Sequence, residues 1–371
     1  MLIRQNAPVF GASADPYLQR GEWLFGAAAR GLRSHDHYNG TVEQVQRQDN
    51  HTYVVNEQRA LDLSATYAVT RRFSLALAVP LVRASWSIPL PVTSTGQRSE
   101  QNAQGIGDLM VTGRFWMFDP EIHRRGNLIL GLGLKAPTGE DGVTDTYPDR
   151  TGTNPQLKAV DQSIQPGDGG WGAVVEVNGF KRIGRASYYA SGTYLINPRD
   201  TNGTPSLVVG LAPGGVVTPA QAPRAENSVP DQYLLRTGMA FALGQSPFAA
   251  ALGFRMEGLP RYDLVGGSHG FRRPGYETFA EPGFYYSRGG DTWSLNVPIA
   301  LERNRRPDPY TGNLGDATFP NHIYLVSYTH RFGAPAGAPR PSGRSGSVPA
   351  PPAGPAATCA EPPFDSSPGA P

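Results

Sequence analysis

Disulfide chemistry is closed to this chain. Of its 371 residues only Cys359 is a cysteine, so no internal bridge can form and no thiol cluster can hold a metal. Long apolar runs are missing as well: no stretch of roughly 18 apolar residues occurs, which excludes a transmembrane helix. The opening MLIRQNAPVFGASADPYLQRGEW lacks the apolar core of a secretory signal, so export would depend on a presequence not visible here. Charged residues make up only 17% and the net charge is +2, which argues against nucleic acid as the main partner. Helix formers such as Glu, Lys and Met are scarce, while Gly (45) and Pro (35) are abundant, and an all-β chain is the reading that follows. There is no GxSxG elbow, no phosphate loop and no dinucleotide fingerprint, so no cofactor is expected.

What is present is alternation. In Leu61, Leu63, Ala65, Tyr67 and Val69 one parity is apolar, and Asp62, Ser64 and Thr66 fill the other. Phe73, Leu75, Leu77, Val79 and Leu81 repeat the pattern, as do Leu109, Val111, Phe115 and Met117, and Leu128, Leu130, Leu132 and Leu134. So do Trp171 to Val177, Tyr188 to Ile196, Tyr233 to Leu243, Phe248 to Met256 and Trp293 to Leu301. Trp23, Phe25, Ala27 and Ala29 open the series, and Tyr276 to Tyr286 is its least regular member. The last segment runs Ile323 to Phe332, with Tyr324, Val326, Tyr328 and His330 on the parity of the terminal aromatic. The segment looks like the closing strand of an outer-membrane barrel, in which Tyr328 and Phe332 would serve as the assembly signal.

These segments number about twelve, and each is about ten residues long, the length of a tilted membrane-crossing strand. Soluble sandwich strands average about 5–6 residues. Connections alternate between short (70–72, 119–125, 182–185, 244–247, 287–291) and long (33–51, 88–104, 138–168, 198–230, 260–274, 304–321). Short periplasmic turns and long outer loops are what a spanning barrel shows. Aromatics at strand ends (Trp23, Phe73, Trp116, Trp171, Trp293, Phe332) read as interfacial girdles. The fold class is therefore an all-β, up-and-down antiparallel transmembrane barrel of about 12 strands over residues 21–332. Residues 1–20 would be disordered or lumenal. In 333–371, 26 of 39 residues are Pro, Ala or Gly, which cannot bury a core, so a disordered periplasmic tail is expected.

Four motifs follow one another: FSLALAVPL (73–81), GIGDLMVTGRF (105–115), GLGLKAPTG (131–139) and QPGDGGW (165–171). In this order they resemble the outer-membrane transporter family associated with the meta-cleavage pathway of phenol degradation. The resemblance covers roughly residues 20–332 and implies a barrel that passes aromatic or other hydrophobic compounds. The C-terminal extension past Phe332 departs from the family's usual ending. Read without the family, Gly105 and Gly107 permit a tight re-entry before Asp108, and Gly131 and Gly133 leave lumen space for a large neighbour.

The polar parity carries Asp62, Asp108, Arg114, Lys135, Glu176, Arg236, Arg255, Glu257 and Glu302. Both signs occur, and a 12-stranded barrel is narrower than the 16–18-stranded porins, so salt bridges across the lumen are expected. Two readings stay open: these charges brace the interior, or they line a permeation path and set its selectivity. Arg114, Lys135, Arg236 and Arg255 would favour anionic solutes such as aromatic carboxylates. His35-Asp36-His37 and the acidic loop of Glu140, Asp141, Asp145 and Asp149 read as polar outer loops rather than metal sites. No catalytic residue is assigned. The expected function is passive passage of small hydrophobic or aromatic compounds across the bacterial outer membrane. The alternative is a closed structural or surface-binding barrel, and a lipid hydrolase is more remote. The partners expected are outer-membrane lipids, the barrel assembly machinery and the solute.

Overall fold

The computed structural model of the chain describes residues 15–91, 97–310, 312 and 315–333. The expectations for residues 1–14 and for the tail beyond Gly333 lie outside these. Within them, twelve antiparallel staves close into one barrel. In chain order they are β1 (Trp23–Asn39), β2 (Val55–Ala68), β3 (Phe73–Pro89), β4 (Arg98–Ile106 and Leu109–Trp116), β5 (Gly126–Ala136) and β6 (Gly172–Ile183). There follow β7 (Ala186–Ile196), β8 (Gln232–Ala242), β9 (Phe248–Leu259), β10 (Gly275–Arg288), β11 (Asp291–Asn296 and Ile299–Arg305) and β12 (Ala317–Phe332). The ends meet: Trp23 pairs with Phe332 and Leu32 with Ile323, so β1 closes on β12.

Alternation decides which way each side chain points. Leu63, Leu77, Leu132, Leu235, Leu252 and Leu295 stand on the outer wall, and their exposure is the surface that lipid covers. Their neighbours of opposite parity (Arg30, Glu176, Arg236, Arg255, Glu281) are buried inside. The usual solvent rule is thus inverted, with apolar residues outside and ions within. Trp23, Phe25 and Phe332 meet at the seam on the short-turn side, with ring centroids 5.6 and 5.4 Å apart along the row.

Two strands are interrupted. In β4, Gly107 and Asp108 separate an upper piece, which among the described residues pairs only with β3, from a lower piece held on both sides. In β11 the register shifts between Ala300 and Glu302. That bulge sends Leu301 and Glu302 outward together, so Glu302 is exposed on the outer wall and does not line the lumen as its parity implied. Trp116 corrects the girdle reading in the opposite sense, because its indole is buried inside the barrel.

The outward belt yields a test. Leu252 is 61% exposed, about midway up β9. Leu252→Arg should destabilise the barrel by about 2–4 kcal/mol in lipid, read from urea titration of refolding into liposomes. An unchanged midpoint would place this wall in water.

Candidate functional site

Side chains from several strands meet inside the barrel, beginning at the end that carries the short turns. There Tyr17, from the segment before β1, packs on Trp116, Ile129 and Phe180, and its hydroxyl donates to the His123 carbonyl at 2.6 Å. The N-terminal segment therefore enters the lumen mouth by Tyr17. On the opposite side Tyr189 and Tyr285 pack with Ala240, Ala249 and Ala251. The Tyr285 hydroxyl donates to Asn296 Oδ1 at 2.8 Å.

Above this lies a layer of ions. Arg30 reaches from β1 across the lumen to Glu257 on β9, with two hydrogen bonds of 2.5 and 3.2 Å. Arg255 holds the same carboxylate at 2.7 Å. Glu277 stands opposite Glu257 on the next strand, with Arg303 3.4 Å away. Arg236 grips Glu281 in a two-bond fork, and Arg114 does the same to Glu176. Gly131 lies between Arg114 and Glu176, where a Cβ would sit 3.0 Å from the carboxylate. That glycine leaves the room expected of it. Asp62 shares this level, contributing to the field at Arg30.

The structure thus brings Arg114 to Glu176 and Arg255 to Glu257. Arg236 goes instead to Glu281, a residue that sequence reasoning did not single out, and Arg30, Glu277 and Arg303 were missed as well. Arg30 could have been found on the even parity of β1, opposite Phe25, Ala27 and Ala29. Tyr328 and Phe332 face outward. The Tyr328 hydroxyl donates to Asp291 at 2.7 Å, and Asp291 also meets His330 at 2.6 Å.

The four sequence motifs converge at the break in β4. Asp108 accepts hydrogen bonds from the amides of Gly139 (3.0 Å) and Asp168 (3.1 Å). Lys135 binds Asp168 and lies 3.7 Å from Asp108. The Gly107 amide donates to the Pro80 carbonyl at 2.7 Å, and the Thr138 hydroxyl donates to the Gly107 carbonyl at 3.1 Å. Gly139 and Gly167 touch backbone to backbone, and a Cβ on Gly139 would fall 2.7 Å from the Gly167 Cα. Only glycine allows that approach. Asp108 and Lys135 were expected on the lumen face, and both are buried in this junction.

The outer end is capped by the long loops. Val160, Ile164 and Leu207 pack inward on Val82, Trp86, Ile88 and Leu90, forming an apolar cluster in the barrel mouth. Asn56 donates to the Ser163 hydroxyl at 2.6 Å, and Gln101 accepts from the Asp161 amide at 2.8 Å. Arg273, from the loop after β9, clamps Asp161 with bonds of 2.6 and 3.0 Å. Burial alone would push the Asp161 carboxyl up, but Arg273 and Ser163 outweigh it and hold the group below its ordinary value of 3.8. Two short hairpins stand above the cap, Thr144–Tyr147 with Gln156–Ala159 and Thr201–Pro205 with Glu226–Ser228. Between them is a cavity of about 480 Å³ lined by Leu157, Ala159, Val209, Ala212, Lys158 and Asn154. Lys158 lies 4.2 Å from the centre of the Tyr147 ring and donates to the Gly210 carbonyl at 2.8 Å. His35-Asp36-His37, expected in an outer loop, lies in the upper end of β1, where His37 is buried, accepting from the Val54 amide at Nε2 and facing Asp316 at Nδ1. Asp145 accepts from the Asn102 amide, and Asp149 closes its own turn on Thr151.

Glu257→Gln leaves Arg30 and Arg255 buried without their shared carboxylate and should destabilise the barrel by about 3–5 kcal/mol, measured from its urea midpoint in detergent. A depressed carboxyl contributes stability above its unfolded pKa and loses it as pH falls through the folded one. The cap should therefore stay docked above about pH 4 and loosen in stronger acid. Asp161→Asn should loosen it at neutral pH, read as increased acrylamide quenching of Trp86; unchanged quenching would show that the clamp does not hold the cap.

No family model matches the chain, and no curated protein matches it in sequence. Among solved structures, an outer membrane channel from Pseudomonas putida F1 superposes with a TM-score of 0.56 at 13% identity, covering 88% of this chain and 100% of that one. A mutant monoaromatic hydrocarbon channel gives 0.44 at 9% identity, covering 85% and 91%. The β domain of the Bordetella autotransporter BrkA gives 0.43 at 11%, covering 84% and 100%. At such identities the Pseudomonas likeness is one of fold alone, and the fold of this chain is a closed 12-stranded antiparallel barrel.

Proposed function

We propose that the protein is a passive outer-membrane channel for small hydrophobic or aromatic compounds, driven by their own gradient. The observation that carries this reading is the outer end. A cavity of about 480 Å³, within the usual range for small-molecule sites, opens over a cap of Val160, Ile164 and Leu207 rather than over a water-filled mouth. The interior below favours neutral solutes. Arg114, Arg236, Arg255 and Lys135 each face a carboxylate, so they do not form the unpaired cationic lining that would draw in anions. Phenol-like compounds fit this better than aromatic carboxylates, in line with the resemblance of the four motifs to transporters of meta-cleavage phenol degradation. The same reading has Tyr328 and Phe332 recognised by the barrel assembly machinery, and outer-membrane lipid around the belt.

One observation favours a second reading. Arg30 and Glu257 cross the lumen directly, as a closed structural or surface-binding barrel would have them. Flux separates the two. Liposomes carrying the refolded protein should admit phenol-like solutes faster than benzoate-like solutes and far faster than sugars. Val209→Trp, which fills the outer cavity, should cut the aromatic flux by about tenfold. No excess flux over empty liposomes, from protein shown to be folded, would leave the closed barrel.

A further inference from the structure

The outer wall carries a second cavity, of about 400 Å³, lined by Tyr233, Met256, Leu259, Tyr276, Arg261 and Arg306. Tyr233, Met256 and Tyr276 belong to the outward parity of β8, β9 and β10. Tyr233 and Tyr276 flank Gly258 in one row. Gly258 lets the Tyr233 side chain lie over the strand: a Cβ there would lie 2.7 Å from the Tyr233 hydroxyl. The height of this row follows from the strand. Ten residues separate Gly258 from Phe248, which packs with Phe284 and Tyr286 in the periplasmic girdle. At about 3.3 Å per residue and a tilt of about 40°, that is a climb of roughly 25 Å, the height of the apolar band. The cavity therefore sits where outer-leaflet acyl chains give way to headgroups.

Two cations stand above it. Arg306 is exposed, with its guanidinium 5.5 Å from the centre of the Tyr276 ring. Arg261 is half-buried, 5.1 Å from the Tyr262 ring; among the described residues its hydrogen bond to the Asp308 carbonyl is long at 3.5 Å, and its Nε has no partner. Neither arginine has a carboxylate within 4 Å among the described residues, whereas Arg272, Arg273, Arg224 and Arg303 nearby all do. Glu302 lies one row lower, where it accepts from the Tyr276 hydroxyl at 2.8 Å and pairs with neither cation. An apolar, aromatic-walled slot beneath two unpaired guanidiniums is complementary to an acyl chain ending in a phosphorylated headgroup.

We propose that this groove binds the phosphorylated, multiply acylated glycolipid of the outer leaflet, with Arg261 and Arg306 on a phosphate and an acyl chain along Met256 and the two tyrosines. The site is independent of transport, so a barrel without flux would still have it.

The test uses the full chain refolded in detergent and titrated with diphosphoryl lipid A, its dephosphorylated form, or inorganic phosphate. Bound species are counted by native mass spectrometry. One diphosphoryl lipid A per barrel is expected. Arg261→Gln with Arg306→Gln should weaken its binding at least about tenfold, and Arg185→Gln on a periplasmic turn should leave it unchanged. Should the double variant not fold, Arg306→Gln alone carries the test, because an exposed side chain can be removed without disturbing packing; the expected loss has the same direction. Undiminished binding in that variant, equal binding of the dephosphorylated lipid, or occupation by inorganic phosphate alone would each overturn the proposal.

Discussion

Backbone satisfaction in lipid governs this structure. A peptide group left unpaired in hydrocarbon costs several kcal/mol, so a sheet that crosses a membrane must have no free edge. The pairing of Trp23–Leu32 with Ile323–Phe332 removes the last one. Everything on the wall follows from that closure: outward leucines without water, and polar groups confined to the lumen. Closure at twelve staves also sets the bore. Side chains from opposite walls can meet across it, as Arg30 and Glu257 do.

That narrowness explains why the interior charges meet one another in pairs. A buried ion is costly unless it is paired and hydrogen-bonded. In this lumen the arginines are placed so that forks form between neighbouring or next-but-one strands: Arg114 to Glu176 over Gly131, and Arg236 to Glu281. Such pairs fix the shape of the barrel interior at a cost in desolvation, which apolar packing at both ends offsets. Tyr17, Trp116 and Phe180 close the lower end, and the Trp86 cluster closes the upper.

The staves were legible because alternation is a local property. Leu61 to Val69 or Trp293 to Leu301 announces its outer face without any knowledge of its neighbours. The lumen residues Arg114, Glu176, Arg236, Arg255 and Glu257 were legible for the same reason, as the other parity. Pairing was not. Glu281 escaped notice because Thr278 and Pro282 interrupt the apolar face of β10, and the strand then reads as irregular. Glu302 was misplaced because a bulge, which leaves no mark in a period-two pattern, turned it outward. An aromatic at a strand end is read as a girdle residue, yet Trp116 has even parity and packs under Tyr17. The cap over the mouth depends on contacts between loops far apart in sequence, Asp161 with Arg273 above all, and no local rule reports those.

The break in β4 shows how an irregular backbone survives inside a barrel wall. Gly107 and Asp108 leave the ladder, and the freed groups must find partners at once. The Gly107 amide turns to Pro80, the Leu109 amide to the Thr138 hydroxyl, and the Asp108 carboxylate takes up the amides of Gly139 and Asp168. Lys135 then balances the two carboxylates that this arrangement buries. Four separated motifs are therefore one physical unit. Each supplies what the others need: proline as an acceptor that asks for no partner, glycines for contact without Cβ, a threonine that both donates and accepts, and one lysine between two aspartates. Their common role explains why they stand out in the sequence together, and it ties the loop 137–170, which carries the apolar cap, to the wall of the barrel at a single point.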